Sequence, residues 1–434
     1  MNVAVIGTGR VGLVTGACLA SLGHTVACMD ADETRVAMLR EGRAPFYEPD
    51  LDELVGDGLS NGTLRFLDTV AEAVEGAEVA FICVGRPPVG RDDRSLSAVE
   101  DAARAVAKAA PQGLVVVVKS TVPPGTNRRV AQVVATERTD LEFDVASNPE
   151  FLREGRAVED TLRPDRLVVG ASGERSVDAL RRLYAPVLDA GCLLIETDPA
   201  TAELAKLSSN AFLALKISYA NGLARLAERT GADVADVVDI LGSDPRIGRA
   251  FLGAGLGYGG YCLPKDVAML EKTASRAGYD FGLLREVARI NDEAVEAVVR
   301  TVEEAVWNLE GKRVTLLGAA FKPGTDDVRA APSLTLARRL LDAGAEVVVW
   351  DPKAAKHAAE ELPALGISED PYEAAVGASC AVVCTEWPEL RELDLAHLGG
   401  GMAERVLVDA RNALDEVEVR AAGFRYVPIG RAAD

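Results

Sequence analysis

The opening of the chain limits the possible folds more than any other stretch. An apolar run, Val-Ala-Val-Ile-Gly (3–7), passes directly into Gly7-Thr8-Gly9-Arg10-Val11-Gly12, and a helical pattern follows from about Arg10. A short buried strand, a tight glycine turn and a helix, in that order, make the first unit of a doubly wound sheet. The three glycines serve different ends. Gly7 allows the turn, Gly9 lets backbone approach a pyrophosphate, and Gly12 lets the helix pack closely on the sheet. The helix N-terminus adds free amides and a dipole that favour phosphate charge. Asp30 ends the next strand-like run, 18 residues beyond Gly12, where a carboxylate holds a ribose 2′-hydroxyl and repels a 2′-phosphate. The expected cofactor is NAD rather than NADP, with Arg35 either stacking on adenine or pairing with phosphate. The alternative is a merely tight strand-to-helix turn.

Further β-rich runs at 25–30, 79–84, 114–119 and 167–171 read as buried parallel strands separated by amphipathic helices. From Pro199 to about Arg229 the pattern becomes one long helix, with Asp198 or Thr201 as its cap and Gly231 after its end. Helices at about 233–242 and 283–309 follow, with a glycine-rich loop between them. A second α/β unit opens at 313–321 and continues through 346–351, 380–384 and 405–410. There, Gly318-Ala319-Ala320-Phe321 lacks the second and third glycines, which leaves that unit free for another nucleotide-like ligand. The expected fold is α/β, with two Rossmann-like doubly wound domains joined by a long central helix. The expected divisions are 1–197, 198–310 and 311–434, the middle one a dimerising spine.

Composition excludes several classes. A length of 434 residues calls for more than one core. A net charge of −20 argues against nucleic-acid or anionic-membrane partners. No run of 18 apolar residues appears, so no transmembrane helix is expected, and from the strand-like start no signal peptide is expected either. The seven cysteines are scattered without a CxxC, which points to a reducing, cytoplasmic compartment. The three histidines lack ligand spacing, so no metal is expected.

Four stretches carry reactive residue types. Residues 253–266 place five glycines in eight positions and then Cys262, Lys265 and Asp266. A thiol beside a cation and a helix N-terminus can act as a nucleophile; the alternative is a buried cysteine in a glycine turn. In Asn-Pro-Glu-Phe-Leu-Arg-Glu, Asn148 reads as an N-cap and Pro149 as the first helical residue. That places Glu150 and Glu154 on one helix face, either as paired carboxylates for water activation or as a solvated acidic helix start. Lys206 and Asn210, one turn apart, are either an oxyanion-stabilising pair or a solvated polar stripe. Thr121 follows a buried strand, where open sheets bind ligands, or else simply belongs to a two-proline turn.

Eight ordered segments make the chain resemble the UDP-glucose/GDP-mannose dehydrogenase family over essentially its whole length. They are GTGRVG, KSTVPPGT, NPEFLREG, RPDR, ELAKLSSNAF, DPRIG, GYGGYCLPKD and AFKPGTDDVR. The resemblance implies a homodimeric enzyme with an NAD-binding domain, a helical linker and a C-terminal UDP-sugar domain. It implies a four-electron oxidation at C6 of a nucleotide sugar, UDP-glucose to UDP-glucuronate, through a thiohemiacetal and thioester on Cys262. Lys206 and Asn210 would stabilise the oxyanion and Asp266 would hold or activate water. Thr121 and Glu154 would serve proton transfer and the hydrolytic water, supported by Glu150. Cofactor contacts would include Gly7, Gly9, Arg10, Val11, Gly12, Asp30, Arg35, Val84, Thr121, Glu154 and Arg329. The sugar nucleotide would meet Glu150, Phe151, Leu152, Lys206, Asn210, Tyr258, Gly259, Phe321, Lys322 and Arg411, with Arg246 reaching across the dimer.

DPRIG followed by GYGG resembles the UDP-glucose branch; a dTDP-hexose or GDP-mannose is the alternative substrate. A two-electron β-hydroxyacid dehydrogenase leaves Cys262 and the second α/β unit unexplained, and an NAD-sensing binding protein would tolerate loss of Cys262, Lys206 and Asp266. Three departures from the family pattern stand out: Arg86 before two prolines, Gly222 after Asn221, and Tyr261 before the cysteine.

Overall fold

Strand β1 (Asn2–Ile6) shows how the first sheet is layered. Val3 and Val5 enter one apolar core, and Ala4 and Ile6 enter another. Alternate side chains of a strand point to opposite faces, so two cores on one strand mean helices on both sides. The structure, a computed structural model, describes residues 1–85 and 96–431. Two compact units divide it, Met1–Ser209 and Asn210–Asp434. Arg86 lies outside the described residues.

In the first unit β1 is joined by β2 (Thr25–Met29), β3 (Leu64–Leu67), β4 (Val79–Ile82), β5 (Leu114–Val118), β6 (Phe143–Ser147), β7 (Arg166–Ala171) and β8 (Leu193–Thr197). The spatial order is β3-β2-β1-β4-β5-β6-β7-β8. Its first six members follow the dinucleotide-binding order, with a switch between β1 and β4. One direction differs from expectation: β7 pairs antiparallel with β6, Ala146 opposite Ala171 and Ser147 opposite Gly170. The helix between them, Ala157–Leu162, has six residues and rises only ~9 Å. That is too short to carry the chain back along a strand, so β7 returns in the opposite sense.

A second correction falls in the same connection. Residues 148–156 form extended and turn structure, and no helix starts at Pro149. Asn148 does not cap one because its side chain is committed elsewhere: Nδ2 donates to the Val168 carbonyl at 2.9 Å, and Oδ1 accepts from Tyr184 and Lys119. The helix begins at Ala157 instead. Glu48 accepts there from the Gly155 and Ala157 amides at 2.7 and 2.6 Å, satisfying donors that a helix start leaves free.

The central helix runs Pro199–Thr230, with Asp198 accepting from the Thr201 amide at its start. Gly231 follows it at φ 76°. Helices Val234–Ser243 and Gly282–Val306 match the expected pattern. The latter stops short at Trp307, whose φ of 70° breaks the helical path. Helix Cys262–Arg276, for which the pattern gave no bounds, starts at the candidate nucleophile, in keeping with the helix N-terminus expected beside its thiol.

The second unit contains β9 (Arg313–Leu317), β10 (Glu346–Trp350), β11 (Gly366–Ser368), β12 (Cys380–Val383), β13 (Val406–Asp409) and β14 (Arg425–Pro428). Their order, β11-β10-β9-β12-β13-β14, repeats the first plan, and every neighbouring pair is parallel. Two Rossmann-like doubly wound sheets and a long central helix are therefore the architecture, as expected. Among the described residues no helix is long and apolar enough to cross a membrane.

Candidate active site

Strand β1 ends where the glycine turn begins. A Cβ on Gly12 would lie 1.8 Å from the Gly7 carbonyl oxygen, while the space beside Gly9 is open. Only a bare α-carbon lets the helix Arg10–Ser21 start this close to the strand, and the open side leaves room for a pyrophosphate. Asp30 stands at the end of β2. It accepts from the Thr8 amide at 2.7 Å, the Thr8 hydroxyl at 2.9 Å, the Asp32 amide at 3.0 Å and Arg35 at 3.0 Å. Burial works against its charge, but these donors together hold the carboxyl below its ordinary range. The turn and its acid thus fit a dinucleotide with a free 2′-hydroxyl.

The second unit uses the corresponding acid differently. Asp351, just beyond β10, accepts from the Ala319, Ala320, Lys353 and Ala354 amides and from the Trp387 indole. Internal donors fill both Asp351 oxygens, three on Oδ2 and two on Oδ1, whereas among the described residues Asp30 Oδ1 accepts only from the Asp32 amide and keeps an acceptor for a ribose.

Around the sheet's carboxyl end in the first unit, Ser120 donates to the Ile82 and Val84 carbonyls at 3.2 and 2.9 Å. This ties the segment before Thr121 to the end of β4, and Thr121 itself is partly exposed. Lys206 is not on a solvated stripe. It is buried against Glu150 at 3.1 Å, and its ammonium lies 5.2 Å from the Phe151 ring centre. Glu150 also accepts from the Leu152 amide at 2.7 Å. Burial opposes its ionisation, but Lys206, the Leu152 amide and Lys119 outweigh that and depress the carboxyl. Glu154 turns instead toward Arg10, at 3.6 Å, so the two acids share no helix face. A cavity of about 280 Å³ is lined by Lys119, Glu150, Phe151, Arg166 and Tyr184 among others.

In the second unit Cys262 is the first residue of its helix, where amide dipoles favour negative charge. It is partly exposed, as is Cys192, whereas the other five cysteines are buried. Burial pushes the Cys18, Cys83, Cys380 and Cys384 thiols up to about 12. Asp266, one turn on, is buried; it accepts from Asn210 at 2.6 Å and pairs with Lys265. Two cations lie over the Tyr261 ring, Lys265 at 5.4 Å and the Arg329 guanidinium at 4.7 Å from its centre. Arg329 is in turn held by Asp327 through Nε at 2.9 Å. Nothing in the structure explains Gly222, which has open space beside it.

The glycine loop is pressed against the second sheet's loops. A Cβ on Gly259 would meet the Ala330 carbonyl oxygen at 2.3 Å. Asn291 holds the Tyr258 backbone at both its amide and its carbonyl, at 2.8 and 3.0 Å. Arg411 donates to the Cys384 and Gly257 carbonyls, each at 2.8 Å. Its buried Nη2 has no hydrogen-bond partner among the described residues, leaving a donor available for a ligand. Lys322 lies over the Phe321 ring, at 5.7 Å. Arg246 stands apart, 87% exposed and held by Asp244.

Comparison with known proteins fits this arrangement. Residues 1–188, 200–293 and 315–416 match the NAD binding, central and UDP binding domains of the UDP-glucose/GDP-mannose dehydrogenase family. The chain belongs to that family. Family members named UDP-glucose 6-dehydrogenase include a Rhizobium meliloti protein, 42% identical over 99% of this chain and 100% of its own length. A Pseudomonas aeruginosa member with the same name is 42% identical over 99% of this chain and 98% of its own. The solved UDP-glucose dehydrogenase of Pyrobaculum islandicum is 40% identical, with a TM-score of 0.91 over 99% of this chain and 98% of that one. The family's cofactor is NAD, and the turn at Gly7–Gly12 belongs to its NAD-binding domain.

Sequence reasoning missed three residues that shape the first unit's site. Glu48 caps the helix start from over a hundred positions away, with no local signal. Lys119, buried under Asn148 and Tyr184, was hinted at by its place after an all-apolar strand. Glu203, one turn before Lys206, is buried on the central helix with no local sequence signal to single it out.

Proposed function

We propose that this protein is an NAD-dependent enzyme that oxidises the C6 hydroxymethyl of UDP-glucose to the carboxylate of UDP-glucuronate. The observation that carries this reading is a partly exposed cysteine at a helix N-terminus, followed one turn later by the buried Asn210–Asp266–Lys265 network. An alcohol going to a carboxylate loses two hydrides, and the intermediate aldehyde must be retained between them. When bound, NAD supplies the hydride acceptor for each oxidation.

The protein's own residues do the rest. The Cys262 sulfur adds to the aldehyde carbon, forming a C–S bond and an alkoxide that takes a proton to give a thiohemiacetal. Loss of the second hydride leaves a thioester. Water then breaks the C–S bond, releasing the carboxylate and returning the thiol. Lys206 and Asn210 donate to the oxyanion of each tetrahedral stage. Asp266 holds water near the sulfur, Thr121 and Glu154 handle protons, and Glu150 keeps Lys206 in place. Lys322, Arg411, Tyr258, Phe321 and the backbone at Gly259 bind the nucleotide, while Phe151 and Leu152 line the sugar side and Arg329 meets the cofactor.

The same reading makes the protein a homodimer. Phe212, Tyr219 and Leu226 on the central helix are 60%, 54% and 57% exposed, and their spacing of seven forms one apolar stripe suited to a second copy. Arg246 would then serve the partner's sugar. Seven free cysteines support a reducing, cytoplasmic location.

Stoichiometry tests the function. Complete conversion of limiting UDP-glucose is expected to yield two NADH and UDP-glucuronate. One NADH per sugar, with an aldehyde product, would establish the two-electron alternative.

A further inference from the structure

Glu203 is buried on the central helix, and the reaction just described assigns it no role. Three donors converge on its carboxylate. Oε2 accepts from the Gly125 amide at 2.6 Å, and Oε1 accepts from the Asn127 amide at 2.7 Å and the Asn127 side chain at 3.1 Å. Gly125 and Asn127 begin the helix Thr126–Glu137, whose own cap residue provides no side-chain acceptor. An acid is expensive to bury, and a shorter polar residue within the turn would cap the helix more simply. The location of this one is informative.

Thr121 lies between two anchors. Upstream, Ser120 is tied to the Ile82 and Val84 carbonyls. Downstream, Pro123 and Pro124 stiffen the backbone by fixing φ, and Gly125 ends on Glu203. The carboxylate projects from the turn of the central helix that also carries Lys206, which pairs with Glu150. One turn of helix therefore holds the Thr121 segment through Glu203 and the acidic segment through Lys206.

We infer that Glu203 is a positioning residue, which fixes Thr121 relative to Lys206 and Glu150 by anchoring the Gly125–Asn127 turn. The inference rests on the role given to Thr121 above. Glu203→Gln keeps the shape but places an NH₂ against an amide donor, so one anchor is lost. A displacement of about 1 Å at a reacting group costs on the order of 100-fold in rate, and kcat is expected to fall roughly 10- to 100-fold while KM for UDP-glucose, which Thr121 is not assigned to bind, stays the same.

A double-mutant cycle with Thr121→Ala tests it, with kcat on UDP-glucose as the readout. If Glu203 acts through Thr121, adding Glu203→Gln to Thr121→Ala costs less than about 2-fold. Equal losses in both backgrounds, or a Glu203→Gln enzyme as fast as the parent, would overturn the inference. A Thr121→Ala enzyme as fast as the parent refutes the Thr121 role itself, and this inference with it. Should Glu203→Gln not fold, Asn127→Ala removes one of the three bonds; it is expected to lower kcat roughly 2- to 10-fold. That loss must likewise vanish without the Thr121 hydroxyl, and its persistence counts against the inference.

Discussion

Lys206 and Glu150 form an ion pair at 3.1 Å with side chains only 4% and 6% exposed. Removing one partner of such a pair leaves an uncompensated buried charge, which costs about 3–5 kcal/mol. Glu150→Gln is expected to destabilise the protein by about that amount at neutral pH, measured by denaturant unfolding. The pH dependence has a fixed sign. Glu150 is held below its usual range, so its contribution is complete above the unfolded carboxylate value of about 4.3. It is lost as pH falls through the depressed folded value. The stability gap between parent and variant should be constant from neutral pH down to about 5 and narrow below about 4. A gap that closes between about pH 8 and 6 contradicts the assignment.

Cys262→Ser replaces the sulfur with a poor nucleophile of similar size. Turnover is expected to fall by at least about 1,000-fold, roughly 4 kcal/mol of barrier, while calorimetry still detects UDP-glucose and NAD. A variant with parental turnover would remove the covalent step from the mechanism.

Asp30 would set the cofactor preference. A 2′-phosphate placed against a carboxylate held ionised by four donors meets like-charge repulsion of several kcal/mol. NADP is therefore expected to support a kcat/KM about 100-fold or more below that of NAD. Asp30→Ala should narrow the ratio, chiefly by weakening NAD. Equal use of both cofactors by the parent protein would be incompatible with this role.

Gly12→Ala probes the turn. The added methyl would sit 1.8 Å from the Gly7 carbonyl oxygen, so backbone must move, at a cost of about 3 kcal/mol. Weakened NAD binding and a lowered Tm should appear together. An alanine variant with parental NAD affinity would mean that the helix does not need this close approach.

The apolar stripe on the central helix gives a prediction about assembly. Tyr219→Glu puts a charge where the second copy would pack, and light scattering should report a monomer in place of a dimer. Monomeric parent protein would remove both the interface and the cross-subunit role of Arg246.

Short-range pattern in the sequence determined a good deal. The glycine turn with Asp30, the two βα series, the central helix with its Asp198 and Gly231 ends, and the order of the eight family segments follow from residues near one another in the chain. Fold class, family and cofactor were readable there for that reason. Tertiary structure alone decided the direction of β7, the absence of a helix at Pro149, and the partners of Lys119, Glu150 and Glu203. The direction of β7 follows from the short helix before it; in the other cases a buried polar group had to find a partner far away in sequence. Asn148 serves Val168, Lys119 and Tyr184 rather than its own next turn, and Glu48 caps a helix 109 residues away. An unpaired buried donor or acceptor costs more than a local cap or turn preference provides. Long-range pairing therefore overrode local propensity at Asn148, where the pattern along the chain had pointed to a helix start.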